Sequence, residues 1–113
     1  MVDGQIRGSL PGEPREISDL PLRGRVSCTG FIESVTYVPA SERAQFAAIV
    51  VENIIHGAAA ASPPHLRVVW LGRRRVPGVE PGAKLHFEGM VTVREGTPTM
   101  FNPRYEILTR QER

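Results

Sequence analysis

Three consecutive arginines, Arg73, Arg74 and Arg75, form the densest cluster of charged side chains in the sequence. They follow an apolar run, Leu66–Leu71, and a glycine, so they stand in a turn that can present several guanidinium groups together. A guanidinium is planar, permanently charged and pairs with phosphate oxygens. The cluster therefore predicts contacts with a phosphate backbone, while a flexible loop gives no rigid fork for reading a base. The alternative is a solvated loop with one arginine paired to Glu80.

Further cations stand on the polar phase of strand-like segments or in turns, opposite apolar neighbours: Arg67, Lys84, His86, Arg94 and Arg104. A groove that follows a single-stranded backbone needs such scattered positive charge, although each residue alone is also typical of a solvated strand. We select Arg67, Lys84 and Arg104, with the three consecutive arginines, as candidate nucleic-acid-binding residues.

Aromatic rings supply the second part of such a site, because bases stack on exposed rings. The aromatic residues are Phe31, Tyr37, Phe46, Trp70, Phe87, Phe101 and Tyr105. Phe31 is out of phase with the inward residues of its strand, and Tyr37 stands at a strand tip, so we add both to the candidate nucleic-acid-binding residues. Trp70 is expected to be core or half-buried.

Signatures of catalysis and of metal binding do not occur in the sequence. No phosphate-binding loop, nucleophile elbow or zinc-protease motif is present, and the spacing of His56, His65 and His86 fits no compact metal site. Cys28 lies on the inward phase of its strand and is expected to be a small core residue. We therefore expect no enzymatic activity, no cofactor and no metal.

The candidate residues are positioned by segments with the two-residue periodicity of strands. The strands are predicted at 23–38, 45–55, 66–71, 84–93 and 98–108. In strand 1 we expect Val26, Cys28 and Ile32 to face inward, Arg25, Ser27, Thr29 and Glu33 to face outward, and Gly30 to permit a sharp coil or bulge.

The connections between these strands carry their own signals. Prolines and glycines between residues 73 and 82 predict a compact loop with at most one 3₁₀ turn. Asn102 and Pro103 predict a bend in strand 5, with Arg104 as the residue of this corner that contacts ligand. Ala58–Ser62 has no anchoring side chain and is predicted to be the most mobile internal segment.

Composition separates an acidic leader from a basic body. Residues 1–22 hold two basic and four acidic side chains, whereas residues 23–113 hold twelve basic and eight acidic ones. We predict a flexible leader at 1–22, with one turn at Ile17–Leu20 against the rest, and a single domain at 23–113. One cysteine, no long apolar run and no signal sequence predict a cytoplasmic protein without membrane contact.

Three motifs give a family resemblance. They are Trp70-Leu71-Gly72-Arg73-Arg74, Pro77-Gly78-Val79-Glu80-Pro81-Gly82 and Asn102-Pro103-Arg104-Tyr105-Glu106. In these motifs the chain resembles the short OB-fold nucleic-acid-binding proteins of actinobacteria and, more distantly, the OB wedge domain of RecG-type helicases. The resemblance covers residues 23–109 and is poorest at 52–65, where the family has a tight turn.

The resemblance implies an all-β, five-stranded Greek-key OB-fold barrel behind the leader. It also implies non-catalytic binding of single-stranded DNA or RNA, through the strand 2–3 face and the loop after strand 3. The alternative is an OB-fold module that binds another protein and has no meaningful nucleic-acid affinity. We expect a monomer or a weak homodimer.

Overall fold

Six strands and one 3₁₀ turn make up the regular structure of residues 16–52 and 64–109, the part of the chain that the computed structural model describes. The 3₁₀ turn is Ile17–Asp19, and the strands are β1 (Gly24–Tyr37), β2 (Gln45–Val51), β3 (Leu66–Leu71), β4 (Lys84–Arg94), β5 (Thr97–Phe101) and β6 (Arg104–Thr109). The all-β prediction is confirmed for these residues. None of them forms a helix that is long and apolar enough to span a membrane.

Five of the strands close into a ring. β1 pairs with β2, β2 with β3, β5 with β4 and β4 with β1, all antiparallel, while β3 and β5 pair in parallel. β6 pairs with β4 beyond the end of β5. Closure of the ring satisfies the backbone groups that an open sheet would leave at its edges, and it encloses one core.

The interior is filled by the alternate residues of each strand. Val26, Cys28 and Ile32 are buried as predicted, and Ser27, on the outward phase, is buried as well. The core cluster contains Ile17, Val26, Cys28, Ile32, Phe46, Ala48, Val50, Leu66, Val68, Trp70, Val76, Val79, Ala83, Leu85, Phe87, Val91 and Met100. Burial of these apolar side chains is the dominant stabilising contribution.

β1 serves two neighbours, and Gly30 lies near the change between them. Residues 24–31 pair with β4, and residues 31–37 pair with β2. The bulge is at Glu33, between Ile32 and Ser34, rather than at Gly30 itself. Gly30 is required by close packing, because a Cβ there would lie 2.6 Å from Val50 Cγ1 and 2.8 Å from the Val51 carbonyl oxygen.

The predicted fifth strand is two strands, because the chain turns at Asn102 and Pro103. Asn102 has a left-handed φ of 54°, which asparagine tolerates better than most residues. Its N–H donates to the Val69 carbonyl (2.6 Å), and its Oδ1 accepts from the Leu71 N–H (2.9 Å). Trp70 Nε1 donates to the Pro103 carbonyl (3.2 Å). The predicted bend is thus confirmed, and it is tied to β3.

The connector between β3 and β4, residues 72–83, is a compact run of turns, as predicted. Val76, Val79 and Ala83 are buried in the core cluster. The Val79 N–H donates to the Val76 carbonyl (3.2 Å), and the Ala83 N–H donates to the Glu80 carbonyl (3.0 Å). Tyr105 Oη donates to the Pro77 carbonyl (3.0 Å). These contacts correct the expectation of a flexible loop, because the connector is anchored to the barrel.

The predicted leader is only partly described. Its turn against the barrel is confirmed, since Ile17–Asp19 is a 3₁₀ turn and Ile17 is buried. Packed residues therefore begin before residue 23. Residues 1–15 and the predicted mobile segment Ala58–Ser62 lie outside the described residues, as does the end of predicted strand 2 beyond residue 52.

Candidate nucleic-acid interface

The outer surface of β2, β3 and β5 presents rows of side chains, because residues opposite each other across a strand pair share one face of the sheet. One row is Ile49, Arg67 and Thr99, and the next is Ala47, Val69 and Phe101. Val69 and Thr99 are buried within these rows, so the accessible side chains are Ile49, Arg67, Ala47 and Phe101. Their immediate neighbours Val68 and Met100 point into the core. Arg67 is thus on the outer face, as predicted, and the aromatic Phe101 of β5 lies on the same face two residues further along.

A second cation joins this surface from the hairpin between β4 and β5. The guanidinium carbon of Arg94 lies 5.1 Å from the centre of the Phe101 ring. Arg67 Nη2 lies 3.6 Å from Glu95 Oε1 at the hairpin tip, where the Glu95 side chain is largely exposed. An exposed pair of this kind contributes little free energy, so a phosphate loses little by displacing Glu95 from Arg67.

The outer face continues to the end of β3, where Leu71 is 51% exposed. Beyond it, Arg73 and Arg104 line one groove together with Trp70, Leu71, Asn102, Pro103 and Tyr105. The Asn102 turn sets this arrangement, because its hydrogen bonds to β3 hold the start of β6 beside the end of β3. No hydrogen bond or ion pair joins the side chain of Arg73 or of Arg104 to another described residue.

We call this continuous surface the β3 strip. It consists of Arg67, Arg73, Arg94, Arg104, Ala47, Ile49, Leu71 and Phe101. The strip has two cations at each end and apolar side chains between them. Of its charged and aromatic members, Arg94 and Phe101 were not selected from the sequence, and neither were the apolar residues Ala47, Ile49 and Leu71. Strand alternation places Phe101 outward if Met100 is inward. The alternation was available from the sequence, but the burial of Met100 is seen only in the structure.

Arg74 differs from its two neighbours. Its Nη1 donates to the Pro39 carbonyl (3.3 Å), and its Nη2 donates to the carbonyls of Ala40 (3.3 Å) and Glu42 (2.6 Å). The guanidinium therefore ties the loop between β1 and β2 to the connector. The geometry favours a structural role for Arg74 over the predicted phosphate contact, and the carbonyls it uses belong to a different loop from Glu80.

Arg75 and Tyr37 lie together in a third place, an open cavity next to the end of β1. Tyr37 is 58% exposed, and its ring packs edge-on against Phe46 with centroids 5.4 Å apart. We call this space the Tyr37 cavity; it is lined by Tyr37, Phe46, Arg75, Val76, Pro77, Gly78, Val79 and Glu80.

Phe31 and Lys84 form a pair of their own on the outside of β1 and β4. Lys84 Nζ lies 5.5 Å from the centre of the half-buried Phe31 ring, a cation–π distance. Phe31 pairs with Val51 on one side of β2. Arg67 of β3 pairs with Ile49 on the other side of β2. β2 therefore separates this pair from the β3 strip, and Lys84 already covers part of the ring.

Cys28 and His86 are titratable side chains of the barrel with buried atoms. Burial raises the pKa of the Cys28 thiol to about 12, which leaves a protonated and unreactive group inside the barrel. His86, on the outer phase of β4, has an Nε2 atom that is buried without a hydrogen-bond partner. Among residues 16–52 and 64–109, no three His, Cys, Asp or Glu side chains are placed to hold a metal ion.

Comparison with known proteins gives no functional assignment for this chain. No protein-family model matches this chain, and no curated protein is significantly similar in sequence.

Proposed function

We propose that this chain is a small OB-fold barrel that binds single-stranded nucleic acid without catalysis or cofactor. The observation that carries the proposal is the β3 strip. β3 spreads its outward side chains over about 13 Å from Arg67 to Leu71, at about 3.3 Å per residue. Arg94 lies beside the first end of the strip, and Arg73 and Arg104 line the groove at the other.

The strip has the two components that a single strand needs. Cations at both ends attract the backbone. The Phe101 ring lies between them with the Arg94 guanidinium carbon 5.1 Å from its centre, and a base can stack on the part of the ring that Arg94 leaves uncovered or by displacing Arg94. Duplex DNA presents no unstacked base to such a ring, so the same surface disfavours a duplex. The strand order of the ring, in which β1 pairs with both β2 and β4 and β3 pairs in parallel with β5, supports the OB-fold part of the proposal.

The test is a fluorescence anisotropy titration with single-stranded DNA, RNA and duplex probes of about 12–16 nucleotides, between about 50 and 200 mM salt. We expect single strands to bind more tightly than duplex, with affinity falling steeply as salt rises. Arg73→Ala and Arg104→Ala should each flatten the salt slope by about 0.7, the contribution of one phosphate contact in a single strand. Arg25→Ala is the matched control, because this exposed arginine lies on β1 opposite Met90, away from the strip.

Phe101→Leu separates stacking from charge. Leucine keeps an apolar side chain beside Val69 but removes the aromatic face, so we expect weaker binding with an unchanged salt slope. If the wild-type protein binds none of the probes at low salt, the nucleic-acid proposal is wrong. The protein-interaction alternative, for which Leu71 and Tyr37 provide exposed apolar surface, would then be the better one.

A further inference from the structure

The Tyr37 cavity lies outside the β3 strip and has a different chemistry. Its volume is about 320 Å³, at the lower end of the usual range for small-molecule sites. Tyr37 lines the cavity and is 58% exposed, and its ring packs edge-on against Phe46 (63° between the rings). The connector residues 75–80 line the rest of it together with Phe46. The space thus has an aromatic side and a polar side.

Both sides are held in place before any ligand arrives. The connector is fixed by buried Val76 and Val79 and by the hydrogen bond from Tyr105 to the Pro77 carbonyl. Arg74 ties this connector to the loop that follows Tyr37, through the carbonyls of Pro39, Ala40 and Glu42. A preformed cavity loses less conformational entropy on binding than a flexible one, which favours its use as a specific subsite.

The polar side carries one donor and one acceptor. Arg75 and Glu80 are both exposed side chains lining the cavity, and no ion pair joins either of them to another described residue. The Glu80 carboxylate repels phosphate but accepts hydrogen bonds from an amino group. The Arg75 guanidinium donates to a carbonyl oxygen. Together they match a neutral ring that bears an amine and a carbonyl on one edge.

We propose that the Tyr37 cavity binds a single unstacked nucleobase, guanine or cytosine, as a base-selective subsite; the inference rests on the proposed binding of single strands. Guanine and cytosine each carry an exocyclic amine and a carbonyl on the Watson–Crick edge. Adenine has the amine without a carbonyl, and thymine and uracil have carbonyls without an amine. Tyr37 supplies the stacking surface, Arg75 the donor and Glu80 the acceptor.

Two measurements test this subsite. The first is an NMR titration of the ¹⁵N-labelled protein with the monophosphates of cytidine, guanosine, adenosine and uridine. We expect cytidine and guanosine monophosphates to shift the amide signals of Tyr37 and of residues 75–80, and uridine monophosphate to shift them least. The second compares oligonucleotides of one length made of cytosine or thymine, with Tyr37→Phe, Tyr37→Ala and Glu80→Gln variants.

Tyr37→Ala should weaken binding of the cytosine probe at least about fivefold, the lower limit for loss of one stacked base, whereas Tyr37→Phe should not. Glu80→Gln should strengthen binding of the thymine probe and reduce the preference for cytosine, because a repulsive charge is removed and a donor is added. A purely structural role of Glu80 would not change base preference in this way.

The outcomes separate this inference from the proposed function. If oligonucleotides bind but the cavity signals do not move and the Tyr37 and Glu80 variants behave as wild type, the subsite is wrong and strand binding stands. If cytidine monophosphate moves the cavity signals but no oligonucleotide binds, strand binding is wrong and the cavity is a site for free nucleotides. Equal shifts with all four monophosphates would overturn the base preference.

Discussion

Replacement of Arg74 by alanine should destabilise the barrel, although the side chain is exposed. The substitution removes three hydrogen bonds from a charged donor to the carbonyls of Pro39, Ala40 and Glu42. Two of them are 3.3 Å long and therefore weak, while the bond to Glu42 is 2.6 Å and strong. Hydrogen bonds to charged groups contribute about 1.5–3 kcal/mol when buried, and here water can replace the lost donor. We expect a loss of about 1–2 kcal/mol in the free energy of unfolding.

Thermal unfolding followed by circular dichroism or calorimetry measures this loss. For a domain of this size, 1–2 kcal/mol corresponds to a fall in Tm of roughly 4–8 °C. Arg73→Ala is the matched control, because the neighbouring guanidinium makes no hydrogen bond or ion pair within residues 16–52 and 64–109, and its Tm should stay close to that of wild type. Arg74→Lys should recover only part of the loss, since one ammonium cannot reach all three carbonyls.

The same variants separate a positioning residue from a phosphate-binding one. Arg74→Ala should weaken nucleic-acid binding by loosening the loop after Tyr37, while the salt dependence keeps its slope. Arg73→Ala should show the reverse, with a flatter slope and an unchanged Tm. Equal Tm values for Arg74→Ala and Arg73→Ala, or a flatter salt slope for Arg74→Ala, would refute this reasoning and return Arg74 to the binding surface.

Two further predictions concern titratable groups. Burial raises the pKa of Cys28 from 9.0 to about 12, so its thiol ionises more readily in the unfolded chain. The free energy of unfolding, relative to that of Cys28→Ala, should therefore fall as pH rises above about 9, by roughly 2 kcal/mol at pH 10.5. Parallel pH dependences of the two proteins in denaturant unfolding would contradict this. Hydrogen bonds from Ser18 lower the pKa of Glu52, so the stabilisation by this carboxylate should be present above about pH 4.5 and lost as pH falls below it. Glu52→Ala should remove this pH dependence. The effect should be below about 1 kcal/mol because the pair is exposed. If the free energy of unfolding of wild type matches that of Glu52→Ala at every pH, the predicted stabilisation is absent.

Strand positions could be predicted from the sequence because alternation in a half-buried sheet is visible in single residues. The inward phase of Val26, Cys28 and Ile32 is one example, and the bend at Asn102 and Pro103 is another. The sequence also marked the connector as compact. Its rigidity was missed, because anchoring depends on distant partners such as Tyr105, which lies 28 residues further along the chain from Pro77.

The candidate site was harder to predict than the fold. Arg73, Arg74 and Arg75 are identical in type and adjacent in sequence, so no local pattern distinguishes them. In the folded chain one lines the groove beside Arg104, one ties a loop, and one lines the Tyr37 cavity. Their three environments come from the turn after Gly72, whose φ of 81° changes the direction of the chain. Only the tertiary structure separates these roles.

The aromatic residues also show what the sequence alone does not predict. Phe31 was selected because its phase is outward, and the phase is correct, but Lys84 from a distant strand covers part of the ring. Phe101 was not selected; it pairs with the buried Val69 of β3, and Arg94 of β4 lies over its ring. Alternation indicates the side of the sheet on which a ring lies. Which side chains surround that ring depends on the closure of the barrel.

The corner at Asn102 connects the fold to the proposed function most directly. A residue with left-handed φ is tolerated there because Asn102 returns two hydrogen bonds to β3 and Pro103 has no N–H to satisfy. The indole of Trp70, itself in the core, holds the Pro103 carbonyl. Arg104 follows at once and lines the same groove as Arg73, which comes from an element more than thirty residues away in the sequence. Asn102 and Pro103, which divide the predicted fifth strand into β5 and β6, therefore also bring Arg73 and Arg104 together at one end of the β3 strip.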